Sequence, residues 1–485
     1  MHLYARRVAS VAGLAALTLA VLVVAAPARA QSASTATAPG GTASLPADSG
    51  LWARSNLFDG IGGARTVLGQ YGISLGLTET SEVLGNVTGG VHQGADYDGL
   101  TELSLGLDTQ HAFGWKGGTF NVSLLQIHGR NLDSDNLEAL QGPSGISADR
   151  ATRLWELWYQ QALPGGRIDV KLGQQSIDQE FMVSATSALF MNTAMGWPAL
   201  PAADLYAGGP TYPLSSLGIR LRARPTDALT VLAGVFDDNP PGGAFDADSQ
   251  LRGAERTGTL FNLDTGALFI AELQFATNLS SSGNGQSGGT QSGLPGTYKL
   301  GFWYDTGAFP DQRFDTQGVS LASPASNGVP ATHHGNASVY GLADQMLWRP
   351  DPQGARAVSG FLRAMGAPGA RNLLVFSADA GLTMTAPLPG RDNDSAGIGI
   401  GFARISGAAS ALDRDMAAFG GMPYPVRGAE TFIEATYVFQ AAPWWTLQPD
   451  VQYIFMPGGG IPNPEAPGKR IGNETILGLR TAVTF

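Results

Sequence analysis

The sequence predicts an all-β protein, a transmembrane antiparallel β-barrel of about sixteen strands with a short N-terminal helical element and long extracellular loops. Three observations support this fold class. Apolar and polar residues alternate through most of the chain after residue 72. Beyond the N-terminus, no segment has the roughly 18 consecutive apolar residues of a membrane-spanning helix. The 485 residues include 66 glycines and are 43% hydrophobic but only 14% charged, which is typical of a barrel with many tight turns.

The first 30 residues are predicted to be a cleaved signal peptide. A basic stretch at Arg6 and Arg7 precedes an apolar run over 8–26, and small residues stand at positions −3 and −1 of the predicted cleavage site, at Ala28 and Ala30. An uncleaved membrane anchor is the alternative. Cleavage fits better because residues 31–49, which follow, are small and polar and are predicted to be disordered. The protein is therefore expected to be exported, and because it has no cysteine it does not depend on disulfides.

Residues 50–71 are predicted to form a helix-and-turn element, either a periplasmic segment or a plug, ahead of a barrel at 72–485. Apolar residues fall near helical spacing at Leu57, Ile61 and Leu68. Nearby glycines interrupt this pattern, so any helix is expected to be short.

Sixteen segments of the barrel region alternate between apolar and polar residues. In LGIRLR at 217–222, for example, the apolar residues share one face and both arginines share the other. An even strand number in this range is what a single-chain outer-membrane barrel requires. The predicted strands lie at 73–87, 100–113, 119–128, 152–163, 167–176, 216–224, 230–237, 266–276, 296–306, 338–349, 356–365, 372–383, 395–405, 430–441, 446–456 and 475–485.

The last predicted strand ends on Phe485, with Leu477, Leu479 and Val483 on the same face. A terminal strand that stops at phenylalanine resembles the assembly signal of bacterial outer-membrane proteins, so Phe485 is predicted to engage the barrel assembly machinery. An ordinary final strand is the alternative. Together with the export signal, this ending predicts an outer-membrane location, with membrane lipid and lipopolysaccharide around the barrel.

The predicted connections divide into short turns and long loops, which is typical of periplasmic turns and extracellular loops. Aromatic residues near predicted strand ends indicate girdles at the membrane interfaces, at Trp155, Trp158, Tyr159, Trp303 and Trp444. The short turns are predicted at 163–167, 366–371 and 441–446, and the long loops at 177–215, 238–264, 278–295, 307–336 and 457–473.

Charge and motifs argue against several function classes. The formal charge of −11 argues against nucleic acid as a partner, because such partners require a basic surface. The sequence contains no Gly-x-Ser-x-Gly, no phosphate-binding loop and no His-Glu-x-x-His. His333 and His334 fall in a predicted loop without an acidic or cysteine partner at ligand spacing, so no metal and no cofactor are predicted. Nothing in the spacing of the acids marks the paired carboxylates of a glycosidase, and no enzyme is predicted.

Several stretches resemble the carbohydrate-selective porin family (OprB type). They include FGWKGG at 113–118, RLWELWYQ at 153–160 and QPDVQY at 448–453, and the resemblance covers roughly residues 50–485. It implies a sixteen-stranded barrel with loops folded into the lumen, which passes monosaccharides and polyols passively down their gradients and has no catalytic residues. It does not fix the preferred sugar, and it leaves a homo-oligomer open.

A pore that selects sugars needs hydrogen-bond donors and acceptors for hydroxyl groups, and aromatic surfaces for the ring faces. Alternation places such side chains on the lumen face, and the long 177–215 loop, stiffened by prolines, is predicted to fold inward as a constriction. The candidates on strands are Glu156, Gln160, Asp169, Lys171, Arg220, Arg222, Lys299, Trp303, Asp305, Glu434, Gln448, Asp450 and Gln452, and those in the loop are Asp178, Glu180, Asn192, Trp197, Asp204 and Tyr206.

Alternatives to these site predictions stay open. Instead of folding inward, the 177–215 loop could form an external cap. Instead of selecting sugars, the charged wall residues could neutralise one another and contribute to folding. The alternatives to a sugar-selective pore are a general diffusion porin and a plugged barrel that acts as an adhesin or structural protein. The sugar-pore hypothesis predicts that Arg220→Ala changes sugar flux and leaves assembly intact.

Overall fold

The computed structural model of the protein describes residues 50–58, 60, 63–245, 253–278 and 293–485. In this part of the chain, sixteen antiparallel strands close into one barrel, and the last strand pairs with the first. The predicted fold class and strand number are therefore confirmed. The predicted signal peptide, the 31–49 segment and most of the predicted 278–295 loop lie outside the described residues.

Strand length varies around the barrel, from 8 residues in the shortest strands to 20 in the longest. A short hairpin of two further strands lies in the last connection. The strands are β1 (Ile73–Gly90), β2 (Gly94–Asp108), β3 (Gly118–Gly129), β4 (Ala151–Ala162), β5 (Ile168–Gln175), β6 (Ser216–Ala223), β7 (Leu229–Asp237), β8 (Ala267–Thr277), β9 (Gly296–Asp315), β10 (Pro330–Trp348), β11 (Ala357–Gly366), β12 (Leu374–Thr385), β13 (Ser395–Ile405), β14 (Ala429–Ala442), β15 (Trp445–Phe455), the hairpin strands β16 (Pro462–Asn463) and β17 (Ala466–Arg470), and β18 (Gly472–Thr484).

Helices are confined to the connections and to the segment before β1. None of them, within the described residues, is long and apolar enough to cross a membrane. The α-helices are α1 (Ala64–Gln70), α2 (Thr109–Phe113), α3 (Thr193–Gly196), α4 (Ala199–Asp204), α5 (Gly407–Gly420) and the single turn α6 (Pro457–Gly460). Single 3₁₀ turns lie at Leu51–Ala53, Ile177–Gln179, Ser187–Leu189, Tyr206–Gly208 and Gly253–Thr257, and a π turn lies at Asp133–Leu137.

Successive side chains point to opposite sides of the barrel wall. On β6, Ile219 and Leu221 are 59% and 43% exposed on the outer face, whereas Arg220 between them is 1% exposed. On β15, Val451 is outside and Gln452 is fully buried inside. A one-residue slip would place the arginine against lipid, at a cost of about 2–4 kcal/mol near the bilayer centre. The register of the charged strands is fixed for this reason.

Several predicted strand limits are wrong. Strand β2 ends at Asp108, because its carboxylate accepts hydrogen bonds from the backbone N–H of Gln110 and His111, at 2.8 and 3.3 Å, and so begins α2. The predicted 307–336 loop is mostly strand, since β9 and β10 extend well beyond their predicted ends. Long paired strands therefore replace much of one expected loop.

The histidine pair lies on β10 and not in a loop. His333 Nε2 lies 2.8 Å from Asp311 Oδ2 on β9, although no acidic partner was expected. Cross-strand pairing explains the contact, since His333 stands opposite Phe309, two residues from Asp311. Spacing along the sequence does not reveal such a neighbour.

The connections at the two ends of the barrel differ in length. At the end that carries the chain termini, the termini end, most connections are short, such as 163–167 and 443–444. At the opposite end, the long-loop end, most are long, including 176–215. Three connections depart from the predicted pattern: 278–295 lies at the termini end, and the short connections 91–93 and 367–373 lie at the long-loop end.

Only part of the predicted aromatic girdle lies on the outer rim. Trp444 and Trp445 stack near the termini end with ring centroids 6.0 Å apart, and Trp52 stacks on Trp444 at 6.1 Å. Trp155 and Trp303 instead are buried inside the barrel. Trp155 turns inward because β4 carries a bulge at this point, which shifts the alternation by one residue.

The N-terminal segment lies against the seam between β1 and β18. Leu57 donates its N–H to the Thr484 carbonyl at 3.0 Å, and the ring of Phe58 lies 5.5 Å from that of Phe485. Arg65 of α1 donates to the Phe485 carbonyl oxygen at 3.2 Å. The predicted helical element thus contains α1, and its role as a plug or a periplasmic segment stays a prediction.

The barrel interior is filled by connections as well as by wall side chains. The 176–215 connection, called here the inward loop, folds into the lumen, and the 130–150 connection does so beside it. Met182, Phe190 and Met195 of the inward loop are buried in one apolar core with side chains of the surrounding strands. The core of the protein therefore lies inside the barrel.

Candidate functional site

The inward loop enters the lumen beside β5 and β6, where it meets charged wall residues. Arg220 forms an ion pair with the Glu180 carboxylate, with its Nε 2.7 Å away, and donates to that carboxylate from Nη2 at 3.0 Å. Lys171 forms an ion pair with the same group. Glu180 lies in the loop, outside the strands. Burial alone raises the pKa of Glu180, but Lys171 and Arg220 outweigh burial and lower that pKa below its ordinary value. The ionised carboxylate ties the start of the loop to the wall.

Arg220 also links the wall strands to one another. It forms an ion pair with Asp169 on β5, and its Nη2 donates to Gln160 Oε1 on β4 at 2.9 Å. Arg222 Nε donates to the second Asp169 oxygen at 2.7 Å. Arg220 is almost completely buried, so it contacts the loop and the wall strands and is not exposed to the open lumen.

Glu156 and Trp158 support the same corner of the lumen. Lys171 Nζ lies 4.9 Å from the centre of the Trp158 ring, and the indole N–H of Trp158 donates to Glu156 at 3.1 Å. The other Glu156 oxygen accepts the backbone N–H of Ser176, the first residue of the inward loop, at 3.1 Å. The candidates on β4 thus position the loop entry.

Arg363 on β11 anchors the middle of the inward loop. It donates to the carbonyl oxygens of Met182 at 2.7 Å and Ala194 at 2.6 Å, and it forms an ion pair with Asp379 on β12 at 3.0 Å. Sequence reasoning missed Arg363 because inward neighbours on its strand, such as Phe361, are apolar. The segment therefore shows no polar face in the sequence.

Strands β14 and β15 hold the next part of the loop. Glu434 accepts the backbone N–H groups of Met191 at 2.6 Å and Asn192 at 3.2 Å. The Asn192 side chain donates to Gln452 at 3.0 Å, and Gln452 donates to Asp450 at 2.9 Å. These predicted lumen residues lie in the lumen, where they bind the loop.

Lys299 and Gln448 bind carbonyl oxygens in the middle of the loop. Asp204 and Tyr206 lie near its far end. Asp204 Oδ1 accepts the backbone N–H of Leu374 at 3.1 Å, and the Tyr206 hydroxyl accepts the N–H of Ala308 at 3.0 Å. Trp303 and Asp305 on β9 are fully buried.

A cavity of about 470 Å³ remains between the inward loop and the barrel wall. Its wall side belongs to β2, β3, β4 and β18, and the inward loop forms most of its other side. This cavity, called here the passage, brings together Asp178, Asn192 and Trp197 of the predicted residues. The strand candidates do not line it.

Several residues that line the passage were not predicted: Glu102, Trp155, Tyr212 and Arg480. The rings of Trp155 and Tyr212 meet edge to face, with centroids 6.3 Å apart and an interplanar angle of 83°. Arg480 forms an ion pair with Glu82 on β1. The alternation of polar and apolar residues along β2 and β18 predicts that Glu102 and Arg480 face the lumen. The bulge in β4 shifts the alternation there, so a fixed period of two does not predict the inward position of Trp155.

Comparison with known proteins identifies the family. A sequence profile described as "Carbohydrate-selective porin, OprB family" matches residues 92–485. The chain belongs to this family. As a family member, this porin is an outer-membrane barrel that conducts carbohydrates, and its family is one of channels and not of enzymes.

Two named relatives and one solved structure agree with this family assignment. Porin B of Pseudomonas aeruginosa is 24% identical over 451 residues, which are 87% of this chain and 90% of Porin B. The putative porin QuiX of Acinetobacter baylyi is 22% identical over 450 residues, 87% of this chain and 92% of QuiX. The high-pH structure of Pseudomonas putida OprB has a TM-score of 0.78 and 23% identity, and the match covers 90% of the porin and 100% of that chain. The fold is therefore that of OprB.

Glycines on the inner face of the porin make room for the inward loop, and this leads to a prediction. A Cβ atom at Gly399 on β13 would lie 2.5 Å from Met195 Cε and 3.1 Å from Phe190 Cε1. Gly399→Val is therefore expected to lower the free energy of unfolding by about 1–3 kcal/mol through overpacking, measured by urea unfolding in detergent. Ala396→Val, on the outer face of the same strand, is the control. Equal effects of both variants would contradict the prediction.

Proposed function

We propose that neutral monosaccharides and polyols diffuse passively through the passage between the inward loop and the wall. This proposal rests on the mixture of acidic, basic and aromatic side chains that line the passage. Asp178 and Glu102 accept hydrogen bonds from sugar hydroxyls, and Arg480 donates to them. The rings of Trp155 and Tyr212 offer apolar surface to the weakly apolar faces of a sugar.

The charged side chains that line the passage favour the entry of neutral solutes over that of anionic solutes. Two acids, Glu102 and Asp178, line the passage. The guanidinium of Arg480 is already paired with Glu82. A sugar acid therefore meets net negative charge in a confined space, whereas a neutral sugar of the same size meets hydrogen-bonding groups only.

The test is swelling of liposomes that contain the folded porin, in isosmotic glucose, glycerol, a disaccharide, gluconate and an amino acid. We expect faster swelling in glucose than in an amino acid of similar size, and slower swelling in gluconate than in glucose. Equal rates for all small solutes would make the protein a general diffusion porin. Absence of swelling with well-folded protein would support a plugged barrel that acts as an adhesin or structural protein.

Removing two acids from the passage should relax charge discrimination. In the double variant Glu102→Gln/Asp178→Asn, the gluconate-to-glucose swelling ratio is expected to rise about fivefold, since like charges a few ångströms apart repel by about 1 kcal/mol in water. Asp227→Asn, at an exposed turn at the termini end, is the matched control. An unchanged ratio in the double variant would rule out charge selection by these acids.

The orientation and assembly of the porin are part of the same proposal. The long-loop end faces the medium, amid lipopolysaccharide, and the termini end faces the periplasm, because its connections are mostly short. Residues 1–30 direct export, and Phe485 signals to the barrel assembly machinery. We infer no catalysis, so purified porin should leave oligosaccharides uncleaved. A homo-oligomer stays open.

A further inference from the structure

A groove crosses the outer face of the barrel on β10 to β14, on the side away from the lumen. It encloses about 600 Å³, and its lining includes Gly360 and Ala380, where the wall lacks large side chains. A Cβ atom on Gly360 would lie 3.1 Å from both Leu347 Cδ1 and Leu382 Cδ2, so these two side chains stand on either side of the glycine. The groove exists because position 360 carries no side chain, and a large residue there would fill it.

The groove is apolar and confined to one part of the wall. Its lining includes the polar side chain of Gln345, whose Oε1 accepts the Tyr298 hydroxyl at 2.8 Å and whose Nε2 donates to a main-chain carbonyl at 2.8 Å. This amide is therefore bound by the protein itself. On β8 and β9, by contrast, the large side chains of Leu273 and Phe302 stand beside the small Ala271 and cover the outer face. The chemistry of the groove suits a hydrocarbon chain.

The groove lies in the half of the barrel next to the termini end. Gly360 and Ile398 are each the fourth residue of their strand from that end, and Leu382 is the fourth residue before the end of β12. At about 3.3 Å per residue, these positions lie about 10 Å along the strands from the termini end. In the orientation proposed above, this half spans the periplasmic leaflet of the outer membrane, which consists of phospholipid, whereas lipopolysaccharide forms the other leaflet.

Two arginines flank the turn directly beyond the groove. Arg349 follows β10 and Arg356 precedes β11, and both are half-buried. Arg356 Nε donates to a main-chain carbonyl at 3.0 Å, whereas Arg349 Nε has no hydrogen-bond partner. The acid of this turn, Asp351, accepts the N–H of Gln353 at 2.9 Å, and no acid of the described residues forms an ion pair with either arginine. The exposed indole of Trp348, next to Arg349, is typical of a membrane interface.

We propose that the groove and the two arginines bind one phospholipid of the periplasmic leaflet. An acyl chain lies in the groove beside Gly360, and the phosphate of the same molecule pairs with Arg349 and Arg356. A second barrel is a poorer occupant, because its wall is convex and a symmetric partner would bring the same arginines to the contact. The site goes beyond sugar passage, and it rests only on the proposed orientation of the barrel.

Native mass spectrometry of the folded porin in detergent, with added phosphatidylglycerol, tests the site. We expect the wild type to keep one lipid per barrel under conditions that remove loosely held lipid. Retention should fall about tenfold in Arg349→Ala/Arg356→Ala, because each arginine attracts the phosphate, and in Gly360→Leu, which fills the groove. The matched controls, Arg167→Ala beside β5 at the termini end and Ala271→Leu on the outer face of β8, should keep the lipid.

Lipid retained equally by all variants, or by none of the proteins, would overturn the proposal. Lipopolysaccharide bound in place of phosphatidylglycerol would place the groove in the outer leaflet, and a lipid-free dimer of barrels would show that a second copy covers it; both would also overturn the proposal. Glucose swelling should be unchanged in Arg349→Ala/Arg356→Ala, so the lipid site and the sugar passage are tested separately. If Gly360→Leu does not assemble, the double arginine variant carries the test.

Discussion

Replacing Arg363 by alanine is expected to release the middle of the inward loop and to destabilise the porin strongly. The carbonyl oxygens of Met182 and Ala194 lose their donor, and Asp379 is left as a buried charge without its partner. Breaking a buried pair in this way costs about 3–5 kcal/mol. Urea unfolding in detergent measures the loss, and single-channel recording should show a larger and noisier conductance, because the loop no longer holds the passage at one width.

A double variant separates the two effects of Arg363. In Arg363→Met/Asp379→Leu both buried charges are gone, so much of the stability should return, while the loop stays unanchored and the conductance stays large. Arg356→Ala, near the start of β11, should match the wild type in both measurements. A double variant with wild-type conductance would show that Arg363 is not what fixes the loop.

Arg220→Ala is expected to have the second-largest effect, on the entry of the inward loop. The variant removes donors to Glu180 and Gln160 and the ion pair with Asp169, but Lys171 and Arg222 still pair with the two acids. The barrel should therefore assemble with a stability loss of about 1–3 kcal/mol. Glucose swelling rates should change, since the loop edge that borders the passage moves.

The control for Arg220 is Arg222→Ala, which keeps every contact with Glu180. It should alter swelling much less than Arg220→Ala. Unchanged swelling in Arg220→Ala, or failure of that variant to assemble, would contradict a role for Arg220 in shaping the passage through the loop.

The strands were predictable because the membrane imposes a simple rule on them. On β6 and β15, a charge on the outer face is costly, so alternation in the sequence reports the faces directly. The rule fails where the backbone breaks its period: the bulge in β4 turns Trp155 inward, and the capping carboxylate of Asp108 ends β2 early. Both depend on local geometry that a period of two does not contain.

The wall of the passage was harder to predict than the barrel. Lumen charges such as Asp169 and Glu434 are indistinguishable in the sequence from Glu102, yet the first two bind protein groups and only Glu102 lines the passage. The difference arises from which side of the lumen the inward loop covers. That choice depends on long-range contacts, such as those of Arg363, between residues more than a hundred positions apart.

The off-centre course of the inward loop has a consequence for how such a channel evolves. Its attachment points lie on β4 to β6, β8 to β12, β14 and β15, whereas the passage borders β2 to β4 and β18, so that the two sets share β4. Substitutions at distant, unconnected positions usually add without interfering. Selection for a new nutrient is thus free to rework Glu102 while the fastening of the loop stays under separate, purely structural constraint. Diversity among descendants of this barrel should therefore accumulate on one side of the lumen.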